Sequence, residues 1–193
     1  RRRHTRYISV TGVQTCALPI LDLDDNMVIS LPTSAGKTRV AELCILACLA
    51  AGRRVVFVTP LRALSAQTEV TLQRTFQPLG KTVSSLYGAI GVGEVDEDFL
   101  RESDIIVATP EKLDFALRND PNLLDTVGLV VLDEGHMIGL TEREVRYEVQ
   151  IQRLLRRSDA KTRRIVCLSA ILDRKSTRLN SSHTDISRMP SSA

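Results

Sequence analysis

No run of 18 apolar residues occurs in the 193-residue chain, so no membrane-spanning helix is expected. Cysteine is scarce and unpatterned: four are present, none in a C-x-x-C pair, and the three histidines do not cluster. That spacing argues against a metal site or a disulfide framework. Cys44 and Cys48, four residues apart, fall on one face of a helix, and Cys167 lies in an apolar strand. Buried thiols in a reducing cytoplasm are the expectation. A surplus of positive charge is also missing where it would count. The chain holds 26 basic and 23 acidic residues, net +3, but eight of the basic and two of the acidic ones sit in the first 20 and last 21 residues. The remaining 18 basic and 21 acidic residues give a net of −3. Bulk charge therefore speaks neither for nor against nucleic acid, and any such contact must come from local placement of donors.

The two ends are set apart by their codons. Residues 1–6 can be written AGA AGA CGG CAT ACG AGA, whose reverse complement encodes residues 187–192. Residues 10–20 can likewise be written so that the opposite strand encodes residues 173–183. Two protein termini have no physical reason to encode each other's opposite strand. The strings resemble the adapters ligated to DNA fragments for short-read sequencing. Residues 1–20 and 173–193 are therefore read as non-native, adapter-derived tails, expected to be disordered and set aside from the fold. Cys16 goes with them, as does the apolar stretch at 10–20 that could pass for a signal-peptide core. Residues 21–172, 152 in all, suit one domain, which at this size buries roughly two-thirds of its chain surface.

Within that segment strand and helix alternate. Strand-forming runs stand at 27–31, 55–59, 82–87, 105–109, 127–132 and 165–169. Helical stretches are expected at 37–51, ended by Gly52, from Pro60 to about Gln77, at 110–117 and at 142–157. Thr141 and Glu144 open the last one as a capping box. Mostly apolar strands separated by helices predict an α/β fold, a mainly parallel sheet covered by helices on both faces. In such sheets ligands sit beyond the carboxyl ends of the strands. The segments richest in chemistry all fall at that edge.

The first is Pro32-Thr33-Ser34-Ala35-Gly36-Lys37-Thr38, between a strand and a helix. Unpaired backbone N–H groups converge at such a helix start and attract anions. Gly36 lets the backbone approach a phosphate, Lys37 sets a cation against the β and γ oxygens, and Thr38 offers a hydroxyl to Mg²⁺. Leu31 stands where the usual phosphate loop has its first glycine. The second segment is Asp133-Glu134, at the end of the strand at 127–132. Asp133 is suited to hold Mg²⁺ directly or through water, and Glu134 to orient and deprotonate an attacking water. ATP and Mg²⁺ are the expected cofactors.

At these residues the sequence resembles the superfamily 2 nucleic-acid helicases, in the DExH branch of the DEAD/DEAH-box proteins. Pro-Thr-Ser-Ala-Gly-Lys-Thr (32–38) matches motif I of that family, and Thr-Pro-Leu-Arg-Ala-Leu-Ser-Ala-Gln (59–67) matches motif Ia. Ala-Thr-Pro-Glu-Lys-Leu-Asp (108–114) corresponds to motif Ib, Asp-Glu-Gly-His (133–136) to motif II and Ser-Ala (169–170) to motif III. The resemblance implies a RecA-like P-loop domain, the first of two such lobes in an ATP-driven helicase. It implies that Lys37, Thr38, Asp133 and Glu134 serve ATP and Mg²⁺, and that His136 couples them to Ser169 and Ala170. It further implies a monomeric parent moving on single-stranded RNA or DNA, with a second lobe that supplies an arginine finger. Such a finger is worth about 10³ to 10⁵ in rate in related NTPases. Because the second lobe is not among these residues, this polypeptide is expected to bind ATP weakly and to hydrolyse it barely. Ile171 stands where the family usually has a motif III threonine, which puts the link between hydrolysis and strand separation in question.

Two further segments make sense as nucleic-acid contacts. Pro60 and Pro110 are each expected in the first turn of a helix, where a missing N–H is harmless. Each helix start offers free amides to a phosphate, with Thr59 or Thr109 hydroxyls nearby and Arg62 or Lys112 as cations. Such sites would follow one strand's backbone without reading bases. Gln67 and Arg101 read as solvated surface, and Arg153, Arg156, Arg157, Lys161, Arg163 and Arg164 as a solvated basic face. The alternative function is a P-loop ATPase that acts on another substrate or as a switch.

Overall fold

Side chains that alternate across each strand build two apolar layers, and those layers organise the molecule. The computed structural model describes residues 6–9, 26–30, 36–86, 101–135, 142–156 and 163–170. The strands are β1 (Arg6–Ser9), β2 (Met27–Ser30), β3 (Arg54–Val58), β4 (Val83–Leu86), β5 (Ile105–Ala108), β6 (Val127–Leu132) and β7 (Arg164–Ser169). The helices are α1 (Lys37–Ala50), α2 (Arg62–Phe76), α3 (Pro110–Asn119) and α4 (Glu142–Arg156). All strand pairs are parallel, in the order β1-β2-β7-β6-β3-β5-β4. A parallel pair needs a crossover, and the helices supply it while covering the sheet.

Register explains why the strands read as apolar runs. Val55 and Phe57 of β3 join Ile105, Val107, Leu129, Val131, Val166 and Leu168 on one face, under α1 and the Leu72–Phe76 end of α2. Val56 and Val58 join Ile106, Ala108, Val130, Leu132, Ile165 and Cys167 on the other, under α3 and α4. The apolar residues of β2 to β7 are thus buried on one side or the other, and each large side chain contributes about 1.5–3 kcal/mol. Helix α1 turns its Ala41, Cys44, Ile45 and Cys48 positions inward. It stops at Gly52, whose φ of 71° places its N–H on Leu49 O at 3.0 Å while Arg53 N reaches Cys48 O at 3.2 Å. These two bonds complete a Schellman end, which a residue with a Cβ would strain. The architecture is the α/β, RecA-like arrangement expected, with helices on both faces.

Three particulars differ from expectation. Pro60 does not open a helix: α2 starts at Arg62, with Leu61 extended (φ −129°) as its N-cap. The Thr59 hydroxyl bonds the Ser65 hydroxyl, and Ser65 N and Oγ both bond Leu61 O, so the polar groups after β3 are used to hold the first turn two residues later. Arg163 and Arg164 are buried rather than solvated, and the Arg163 guanidinium donates to Leu124 O at 2.9 Å. Arg153 stays exposed but pairs with Asp114 at 2.7 Å. Finally, Arg6–Ser9, within the N-terminal tail, forms the edge strand beside β2. An open edge accepts any β-prone segment, and Arg-Tyr-Ile-Ser is one. The rest of both tails, Thr141 and its capping box, residues 157–162 and Ile171 lie outside the described residues.

Candidate functional site

Strand β6 delivers Asp133 and Glu134, and the chain turns sharply behind them. Asp133 N donates to Val58 O at 2.9 Å, so the turn is tied to the neighbouring strand β3. The Asp133 carboxylate accepts Glu134 N at 2.9 Å. Glu134 takes φ 50°, a left-handed conformation that non-glycine residues seldom adopt. Gly135 N then donates to Leu168 O at 2.8 Å, which fixes the turn to β7 as well. A Cβ on Gly135 would run into Cys167 Sγ, so only glycine lets the turn lie this close to the strand.

Across the pocket, Gly36 sits at the N-cap of α1 with φ 86° and accepts Arg39 N and Val40 N at 2.9 and 3.2 Å. It aims the following residue inward. Lys37 is 8% exposed, and its ammonium donates to Glu134 Oε1 at 3.4 Å, across 97 residues of chain. Sequence reasoning required the lysine-bearing loop and the acid pair to converge. They do. Lys37, Thr38, Asp133 and Glu134 line one cavity of about 280 Å³. Pro32, Thr33, Ser34, Ala35 and His136 lie outside the described residues. Ser169, at the end of β7, is buried and stands beside Ser30 of β2; Ala170 follows half-buried.

Five residues at this site were not foreseen in that place. Gln67, expected as plain surface, lines the same cavity together with Thr68 and Thr71, because α2 packs along its wall. Helical periodicity from Leu72 and Phe76 places that face near the sheet, but only the tertiary fold says which ligand cavity it meets. Tyr147 of α4 is buried and donates its hydroxyl to Asp133 O at 3.1 Å. Burial above all, then the nearby Cys167, Asp133 and Glu134, raises its pKa well above the ordinary value, so it remains a donor. Cys167 is pushed up to about 12 by burial and by the Asp133 carboxylate, and stays a neutral thiol. Of the other sequence cysteines, Cys44 and Cys48 are free and buried, as expected.

The Thr-Pro segments are brought together, in part. Thr59 N donates to Ala108 O at 3.0 Å, which puts Thr59 and Thr109 side by side at the carboxyl edge of β3 and β5. Both threonines are buried, and the Thr59 hydroxyl bonds the Ser65 hydroxyl. Arg62 is exposed and Lys112 half-buried. Pro110 does occupy the first turn of its helix, α3.

The oxygen donors in the cavity (Thr38, Asp133 and Glu134) fit Mg²⁺, which takes one or two protein carboxylates and completes its shell with phosphate and water. Among the described residues no group of three His, Cys, Asp or Glu forms a preassembled metal cage. A lysine at a helix start facing an acid pair at the end of a parallel strand is the arrangement that phosphate-loop nucleotide-binding lobes share. The family model for the DEAD/DEAH box helicase matches residues 11–179, and the chain belongs to that family. It is 36% identical over 151 residues to Hachiman protein HamB of Bacillus cereus, covering 77% of this chain and 14% of that protein. The ATP-dependent DNA helicase Hel308 of Pyrococcus abyssi is 33% identical over 151 residues, 77% of this chain and 20% of its own length. Hel308 of Methanocella arvoryzae is 34% identical over 131 residues, 67% and 18%. The chain thus spans no more than about a fifth of the length of these three relatives. Among the described residues, no helix is long and apolar enough to cross a membrane.

Proposed function

We propose that the chain is the ATP-binding lobe of a translocase that moves on single-stranded nucleic acid. The observation that carries this reading is the 3.4 Å approach of Lys37 to Glu134 over a cavity that Thr38 and Asp133 share. An arriving triphosphate competes with Glu134 for the Lys37 ammonium, which frees the carboxylate to accept a proton from water. Thr38 and Asp133 would hold Mg²⁺, whose contribution is to neutralise charge on the phosphate oxygens. Tyr147 and Leu168 hold the acid turn in register through its backbone. His136, with Ser169 and Ala170 at the end of β7, would report the state of that turn. Arg62 and Lys112, near the adjoining carboxyl ends of β3 and β5, would steer a phosphodiester backbone. A second RecA-like lobe would supply the missing arginine, so the 193-residue chain alone turns over ATP at a background rate.

Relatives named as DNA helicases make single-stranded DNA the first polymer to try, with RNA as the comparator. In the intact parent, single-stranded DNA should stimulate ATP hydrolysis, and Arg62→Ala with Lys112→Ala should abolish the stimulation but not the basal rate. Basal turnover that ignores both polymers would refute the translocase reading in favour of an ATPase acting on another substrate. The adapter origin of residues 1–20 and 173–193 belongs to the same proposal, although the family match at 11–179 takes in residues 11–20 of the first tail and 173–179 of the second. Recovering the gene from an intact genome with these termini present would overturn it.

A further inference from the structure

Between α3 and α4 runs a groove of about 500 Å³ that the nucleotide chemistry does not use. Its walls carry Phe115, Val145 and Val149, each a little under half exposed. One such side chain is ordinary on a protein surface; three on facing helices make a patch. Gln150 also lines the groove. It is 5% exposed, and neither its Oε1 nor its Nε2 has a hydrogen-bond partner. Buried carboxamides are almost always paired, because an unmade bond forfeits hydration and gains nothing. The amide therefore marks where something else belongs.

The chemistry of the rim selects what that is. Arg118 and Arg153 both grip Asp114, at 2.5 and 2.7 Å, and Glu111 adds a second carboxylate. Among the described residues the rim is therefore neutral, with its arginines already committed. A polyanion draws its affinity from unpaired cations and finds little here. A polypeptide finds apolar walls for an anchor side chain, charges of both signs at the rim, and an amide that matches one main-chain N–H and one C=O. We propose that this groove seats a segment of the parent polypeptide from outside residues 21–172, with an apolar anchor beside Phe115 and Val149 and a donor–acceptor pair on Gln150. The matched segment makes up only 14–20% of the relatives, so most of such a parent remains to supply it. This site is independent of the ATP reading and stands or falls without it.

The test uses the intact parent with Phe115→p-benzoylphenylalanine, irradiated with and without a single-stranded DNA oligonucleotide, and mass spectrometry of the products. The expected product is a crosslink to the same polypeptide beyond residues 21–172, indifferent to the oligonucleotide. Gln150→Leu should lower its yield by about tenfold, the equivalent of one lost hydrogen-bonded pair, and should lower the Tm. A crosslink to DNA, to a second copy or to nothing would overturn the proposal. So would a higher Tm in Gln150→Leu, the result for an amide that stays orphaned and is better replaced by an apolar group.

Discussion

Adding one methyl group at Gly135 measures how tightly the acid turn is held. A Cβ there would fall deep inside the radius of Cys167 Sγ, while Leu168 O at 3.5 Å and Cys167 Cβ at 3.7 Å lie at ordinary contact distance. The thiol is thus the sole obstacle. Cys167 is 3% exposed in a strand paired on both sides, and the turn is pinned by Asp133 N to Val58 O and Gly135 N to Leu168 O, so neither can yield cheaply. Overpacking of this kind costs about 1–3 kcal/mol. For a domain of this size that is a Tm loss on the order of 3–10 °C. Cys167→Ala alone leaves a small cavity and costs on the order of 1 kcal/mol. Gly135→Ala with Cys167→Ala should recover most of the loss, giving a coupling of at least about 1 kcal/mol in urea and thermal unfolding followed by circular dichroism. Effects that add within about 0.5 kcal/mol, or a neutral Gly135→Ala, would refute the packing described for motif II.

Three other outcomes are expected. In the intact parent, Glu134→Gln should keep ATP binding but lose about 10² to 10⁴ in turnover, whereas Lys37→Ala should lose binding as well; single-turnover hydrolysis and fluorescent-nucleotide titration separate the two. Tyr147→Phe should destabilise the fold by about 0.5–1.5 kcal/mol, read by urea unfolding, because it removes the donor on Asp133 O. Asp104 supplies a pH signature. Burial opposes its ionisation, but Thr82 N–H, Lys81 and the Thr82 hydroxyl outweigh that and hold its pKa below the ordinary 3.8. Its stabilising contribution is therefore complete above about pH 4 and is lost as pH falls through the lower folded value; Asp104→Asn should flatten that acid limb in thermal melts taken between pH 2 and 5.

What the chain disclosed in advance was whatever depends on local pattern. Runs such as 55–59 and 127–132 announced doubly buried parallel strands, and Gly36-Lys37-Thr38 with Asp133-Glu134 announced residues that come to line one cavity, because residue type and spacing carry that chemistry. What stayed hidden depends on partners distant in the chain. Nothing near Tyr147 says that its hydroxyl meets Asp133, and nothing near Gly135 says that Cys167 lies beneath it. Pro60 misled because proline tolerates the first turn of a helix without demanding it, and the Thr59–Ser65 bond moves the start to Arg62. Arg163 and Arg164 misled because a run of cations reads as solvent-facing until a carbonyl such as Leu124 O is there to receive one. The unpartnered amide of Gln150 leaves no trace in periodicity at all.

Sheet order has one more consequence. Strand β7 lies between β2, which leads into the lysine loop, and β6, which ends on the acid pair. The strands behind the two halves of the pocket are therefore not neighbours but jaws on either side of a spacer, although Lys37 reaches across to Glu134. Beside that direct contact, Leu168 accepts the acid turn through Gly135 N, so a shift of one jaw against the other is also felt at the tip of β7, which becomes a gauge of jaw separation.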